Sequence, residues 1–250
     1  MGAVFDRRGA RDRTAVDVTG ECSSEAVWAG RSRRAWIVLL SVMVISLVAD
    51  LASKSLAFRH VAGQPVTLTR SDILAHTHAG GRDVALDMDS LIPSHQPLTV
   101  VPHVLEFTLV LNPGAVFGIG AGKRWVFVAF TGVAITFGLW IFGARTKHNQ
   151  WLPHVALGLL IGGGLGNLYD RLAFACVRDF IHPLPGSHLP FGIRWPNGSS
   201  EIWPYVSNLA DLLLLVGIGM LMWHIWRTDP PKKKVVAEGG ADGGRRLPVE

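Results

Sequence analysis

The chain has 250 residues, 49% of them hydrophobic, a net charge of +5 and a mean hydropathy of +0.30, which is too apolar for an ordinary soluble domain and points to a membrane protein. Its two cysteines, Cys22 and Cys176, show no metal-ligand spacing, so neither a disulfide framework nor a zinc site is indicated. The basic residues cluster beside apolar segments and not along an aromatic-lined groove, which argues against nucleic acid as a partner.

Residues 1–34 mix Arg, Asp, Gly and Ser without apolar periodicity and read as a disordered tail. The run AWIVLLSVMVISLVADLASKSLAF, residues 35–58, would rise ~36 Å as a helix and so cross a hydrocarbon layer of ~30 Å. Three more such runs follow at 124–144, 151–172 and 205–226. Within 59–123, PLTVVPHVLEFTLVLNPG carries β-branched residues bounded by prolines and predicts short strands. Residues 173–204 are interrupted by Pro183, Pro185, Pro190, Pro196 and Pro204 and read as an irregular loop. Gly158, Gly162 and Gly166 form a small-residue stripe that lets helices approach closely in lipid. Residues 228–250 read as a C-terminal tail, of low complexity from Val235 onward.

Arg31, Arg33 and Arg34, then Arg145 and Lys147, then Lys232, Lys233 and Lys234 all fall on one side of a four-crossing topology. The positive-inside rule makes that side cytoplasmic. The fold expected is a membrane all-α protein, four transmembrane helices with a small extracytoplasmic β or loop element, and with both termini cytoplasmic.

The unusual polar residues converge on the opposite face. Asp50 and Lys54 stand i, i+4 in the first helix, an order that favours an ion pair. Asn167, Asp170 and Arg171 share the outer end of the third helix, Asp179 follows it, and Asn208 and Asp211 share a face of the fourth. Asp50 with Lys54, and Asp170 with Arg171, read as interhelical clamps. Asp179 and Asp211 are harder to assign that way: two carboxyls sharing a site cannot easily both ionise, so one holds a proton while the other acts as base on a water. That is an aspartyl protease arrangement. Arg178 adjoins Asp179, but neighbours in an extended segment point to opposite faces, so it need not neutralise that acid.

With DLASK (50–54), NPGAVFG (112–118), GGGLGNLYDR (162–171), VRDF (177–180) and SNLAD (207–211) in this order and spacing, residues 35–227 closely resemble bacterial lipoprotein signal peptidase, signal peptidase II. The resemblance implies a four-helix aspartyl endopeptidase of the bacterial cytoplasmic (inner) membrane with its active site at the extracytoplasmic face. Such an enzyme removes the signal peptide from diacylglyceryl-modified prolipoproteins, cutting before the lipidated cysteine, and is inhibited by globomycin. Membrane lipids are the other partners implied, and no metal or cofactor is required. By motif, the resemblance assigns Asp179 and Asp211 as the catalytic pair, with Asp50, Lys54, Asn112, Gly114, Asn167, Asp170, Arg171 and Asn208 as supporting or substrate-binding positions. The chain departs from the family pattern at Arg178, usually apolar, at Ser207, commonly aromatic, and in two expanded outer loops. The competing class is a non-catalytic membrane protein, either a lipid-binding homologue or a small transporter using the same carboxylates as a relay.

Other features have plainer readings. DVALDMD (83–89) lacks the glycine and terminal acid of an EF-hand loop and reads as solvated loop. His60, His76, His78, His95 and His103 are scattered and make no zinc set. Asn197-Gly-Ser matters only in a glycosylating pathway, and Cys176 reads as a packed residue.

Overall fold

The computed structural model describes residues 27–79, 88–114, 124–195 and 198–228. The tails proper, Cys22, Lys232–Lys234, Asn197 and most of 83–89 lie outside the described residues.

Among the described residues, four helices are long and apolar enough to cross a membrane: α1 (Arg33–His60), α3 (Arg124–Arg145), α4 (Trp151–Ala173) and α5 (Leu209–Thr228). The first three agree with the sequence expectation to within two residues at each end. The fourth starts four residues later than expected, because Asn208 caps the helix and is not part of it. Residues 27–32, grouped by composition with the N-terminal tail, are ordered: Ala29 N–H donates to Thr146 O and His148 N–H to Val27 O, so the start of α1 and the α3–α4 turn share one end of the bundle.

α4 is the central helix and packs against α1, α3 and α5. Its glycines make this possible. A Cβ on Gly158 would meet Val42, one on Gly162 would stand 2.7 Å from Met43 O, and one on Gly166 would overlap the Asp50 carboxylate, so the expected stripe is the α1–α4 seam. Gly163 serves α5 in the same way, 2.8 Å from Ala210 O. The remaining faces of α1, α3 and α5 expose Ile45, Val48, Phe130, Val133, Leu215 and Met222, as lipid-facing surfaces do. Trp125, Trp151, Trp223 and Trp226 stand exposed near helix ends, where indole rings favour the headgroup level.

At the other end of the bundle lies a three-stranded antiparallel sheet in the order β1 (Leu98–Val101), β2 (Leu105–Asn112), β3 (Val177–Pro183). The strands expected in the first loop are β1 and β2; β3 occupies a segment read from its later prolines as irregular. α4 stops at Phe174, and Ala175 takes a left-handed φ of 65°, which turns the chain straight into β3. Between Phe107 and Val110 the β2–β3 register shifts by a bulge, after which Val110 pairs with Asp179 and Asn112 with Val177. A short helix α2 (Arg70–Ala79), capped by Thr69 and Asp72, brings Ile73 into the apolar core formed with Phe58, Leu109, Leu111 and Phe180. Ten residues carry too little periodicity to announce that helix; its sequence signal is the Thr-x-x-Asp cap.

Candidate active site

The polar residues of five segments meet where the sheet sits on the helix ends. Asp179, on β3 and 2% exposed, accepts hydrogen bonds from Asn112 Nδ2 (3.1 Å) and Asn208 Nδ2 (2.6 Å). Asp211, half-buried in the first turn of α5, accepts from Asn167 Nδ2 (2.9 Å) and from the backbone N–H of Asn208 (3.2 Å).

Asn208 organises this arrangement. Its side-chain oxygen accepts the N–H of Asp211, and Asp211 returns the bond to the N–H of Asn208: a reciprocal capping box at positions i and i+3. Its two amide protons go to Asp179 and to Asn167 Oδ1 (3.1 Å). One asparagine thus starts α5, orients Asp211 and holds Asp179. The segment is fixed to β3 through backbone bonds between Ser207 and Ile181, and the Ser207 hydroxyl donates to Ile181 O as well, at 3.4 Å.

Lys54, fully buried, places its ammonium 2.8 Å from Asp50 Oδ2, 2.8 Å from Asn167 Oδ1 and 3.4 Å from Asp170 Oδ2. Asp50 Oδ1 accepts the N–H of Ala210 at 2.9 Å, at the start of α5 where the helix dipole favours an anion. The expected Asp50–Lys54 pair is present and joins α1, α4 and α5. The expected Asp170–Arg171 clamp is not. Asp170 instead accepts Nε (3.2 Å), Nη2 (2.8 Å) and the backbone N–H (3.1 Å) of Arg178, because β3 turns that side chain away from Asp179 and back against α4. Adjacency in the helix puts Arg171 on a different bearing from Asp170.

Arg171 donates to Asn167 O (3.2 Å) and lies over the Phe127 ring at 5.3 Å, within electrostatic reach of Asp179 and Asp211. Its Nε is buried without a partner among the described residues. Asn112 accepts the N–H of Gly114 (2.9 Å), closing a turn in which Gly114 has a φ of 98° and where a Cβ would stand 2.8 Å from Phe127. Residues 115–118 of the same motif lie outside the described residues.

Asp50, Asp170, Asp179 and Asp211 thus share this end of the bundle with the cations Lys54, Arg171 and Arg178. Among the described residues, four acids against three bases reach neutrality when one carboxyl keeps its proton, the state a low-dielectric site favours. Burial, and then the charge of Asp211, push Asp179 up to about 7, against hydrogen bonds from Asn208 and Asn112 that act the other way. Burial pushes the thiol of Cys176 up to about 12, which leaves it protonated and packed, not nucleophilic. Among the described residues no group of His, Cys, Asp and Glu is arranged to hold a metal ion.

An apolar slot of about 330 Å³ runs between α3 and α5 over α4, lined by Phe130, Ile135, Leu160, Gly164 and Leu214 among others. Gly164 and Leu214 lie one helical turn from Asn167 and Asp211, so the slot leads to the carboxyl pair. The expanded loop after β3 is clipped back onto the sheet, with His182 between Glu106 (3.8 Å) and Glu201 (3.5 Å).

A family model described as signal peptidase (SPase) II matches residues 42–227. A lipoprotein signal peptidase of Desulfitobacterium hafniense is 33% identical over 139 residues, covering 56% of this chain and 80% of that protein. One of Bacillus velezensis is 35% identical over 149 residues, covering 58% and 86%. A solved bacterial membrane enzyme structure, obtained by the in meso method at 2.3 Å resolution, superposes with a TM-score of 0.51 at 23% identity, covering 79% of this chain and 93% of that one.

Proposed function

As the chain belongs to the signal peptidase II family, a group of multi-pass membrane peptidases, we propose that it is an aspartyl endopeptidase that cleaves diacylglyceryl-modified prolipoproteins just before the lipidated cysteine. The observation that carries this reading is the Asp179–Asn208–Asp211 arrangement, two carboxyls held by one asparagine in a cluster that is neutral with a single proton on the pair. The distribution of Lys and Arg supports a topology with the sheet end of the bundle, and with it the site, on the extracytoplasmic side of the bacterial inner membrane and both termini cytoplasmic.

In this mechanism Asp179 holds the shared proton, as its elevated pKa favours, and donates it toward the scissile carbonyl oxygen. Asp211, the more open of the two, takes a proton from the water that attacks the carbonyl carbon. The tetrahedral intermediate then collapses with cleavage of the C–N bond and protonation of the leaving amine. Asn112, Asn167 and Asn208 hold the carboxyl oxygens in position, and Gly114 makes the turn that aims Asn112. Asp50, Lys54 and Asp170 hold the supporting charge network in place, and Arg171 adds a positive charge within electrostatic reach of the carboxyl pair. The apolar slot suits acyl chains or a signal helix, so that the lipid itself fixes the scissile bond near the pair. No step requires a metal or cofactor.

The test is a gel-shift assay of purified protein with a diacylglyceryl-modified prolipoprotein, comparing wild type with Asp170→Asn, Asp179→Asn and Asp211→Asn, with and without globomycin. Globomycin-sensitive cleavage by wild type, abolished by the last two substitutions in folded protein, is the expected result. Retained cleavage in both variants would falsify the pair. Binding without turnover by wild type would move the chain to the non-catalytic, lipid-binding class.

A further inference from the structure

A second cavity, of about 320 Å³, opens where the last turns of α1 meet residues 65–68 and the end of α4. It lies on the far side of Arg178 from Asp179, since β3 directs the two side chains to opposite faces. From Arg33 to Ser55 helix α1 rises ~33 Å, about the thickness of the hydrocarbon layer, so Ser55, Phe58 and Arg59 in the cavity wall stand at headgroup level. Leu56, beside them, is 58% exposed, as a lipid-facing residue at that boundary would be.

The lining is basic and aromatic. Arg178, only 7% exposed, is held with Phe174 4.3 Å and Phe58 5.9 Å from its guanidinium carbon, both rings lining the same cavity. Its Nε and Nη2 are committed to Asp170, while Nη1 has no acceptor among the described residues. Arg59 is exposed and has no ion pair among the described residues. The Thr67 hydroxyl is uncommitted there as well, whereas Ser55 spends its proton on Leu51 O at 2.7 Å and can only accept. No acid is among the residues lining the cavity.

We propose that this cavity binds the phosphate ester of an anionic phospholipid headgroup, with Arg59, Nη1 of Arg178 and the Thr67 hydroxyl as donors and the Phe58 and Phe174 rings against the glycerol carbons. Guanidinium groups match tetrahedral phosphate oxygens with directed N–H pairs, and charge-assisted bonds of this kind are the strong ones. The aromatic walls hold the Arg178 plane in place before a ligand arrives, which lowers the ordering cost of binding. A soluble phosphate ester has the same recognition chemistry. The position of the cavity at the membrane boundary favours the lipid. Nothing in this site depends on the peptidase reading, because none of its donors contacts the carboxyl pair.

The experiment uses the full chain, delipidated in a neutral detergent and titrated with phosphatidylglycerol, phosphatidylcholine or glycerol 3-phosphate, with retained ligand counted by native mass spectrometry. Wild type is expected to hold one phosphatidylglycerol and to bind phosphatidylcholine about tenfold more weakly, for want of net negative charge. Arg59→Gln and Thr67→Val, both at exposed positions, are each expected to weaken phosphatidylglycerol binding severalfold while leaving the circular dichroism spectrum unchanged. Displacement of the lipid by glycerol 3-phosphate at equal concentration would identify the soluble ester as the occupant within the same chemistry; no displacement identifies the lipid. Equal retention of the two phospholipids, or undiminished binding in both variants, would overturn the proposal.

Discussion

Asn208 and Asp211 cap one another at the start of α5: the asparagine oxygen accepts the aspartate N–H at 3.2 Å, and the aspartate oxygen accepts the asparagine N–H at 3.2 Å. The same asparagine reaches Asp179 at 2.6 Å, so a helix cap and a carboxyl pair share one side chain. The two roles can be separated by mutation.

Asn208→Ala removes both, and is expected to lower the apparent unfolding temperature by the equivalent of about 1 kcal/mol for the lost cap and to reduce kcat at least ~100-fold. Asn208→Ser keeps a capping oxygen and loses the amide donors to Asp179 and Asn167. It should restore most of the stability and little of the activity. Equal recovery of both would show that the cap alone matters.

A carboxyl raised from 3.8 to about 7 makes folding and catalysis pH-dependent in a defined direction. Between those values the folded state binds the proton that the unfolded state has released, so stability falls as pH rises through this window and is level again above about 7. Wild type should therefore unfold at a lower temperature at pH 8 than at pH 5, and Asp179→Asn should flatten that difference. Cleavage should lose activity on an alkaline limb near the upper apparent pKa of the pair, measured as kcat/KM against pH.

Lys54 is buried against two carboxylates and an amide oxygen. Lys54→Met leaves Asp50 and Asp170 without that cation and is expected to cost about 3–5 kcal/mol. Adding Asp50→Asn should recover part of the loss by removing one uncompensated charge. A double variant no more stable than the single one would mean that the cost lies in packing.

Gly162→Ala places a Cβ 2.7 Å from Met43 O and from Ser46 Cβ, forcing α1 and α4 apart at a cost of about 1–3 kcal/mol. Gly132, on α3, has nothing within 4 Å of a Cβ, so Gly132→Ala should be neutral or stabilise by up to ~1 kcal/mol. Thermal unfolding of the two variants side by side in the same detergent distinguishes a seam from a lipid-facing position.

The spacing of apolar residues is a local property, and with it the four crossings, a close-approach glycine stripe on α4 and short strands in the first outer loop were legible in the sequence; that the stripe faces α1 was not. The Asp50–Lys54 pair was legible for the same reason, since four residues along a helix make one turn. Arg171 shows the limit of such arguments. It is next to Asp170 in the chain, yet the partner of Asp170 is Arg178, on a strand. The start of α5 shows another: Tyr205–Asn208 is apolar enough to extend the helical run, but the backbone bonds of Ser207 to Ile181 and the capping box end the helix at Leu209.

By itself, then, the sequence determined which segments cross the membrane, which motifs stand at their ends and which polar residues have no local reason to be there. Apart from the Asp50–Lys54 pair, tertiary structure alone decided who pairs with whom among those residues. The turn at Ala175 and the bulge in β2 set which way each side chain of β3 faces, and that sends Arg178 to Asp170 and Asp179 to Asn112 and Asn208. The physical reason is range: hydropathy and helical periodicity act over a few residues, whereas a buried charge is neutralised by whichever opposite charge the fold brings within hydrogen-bonding distance.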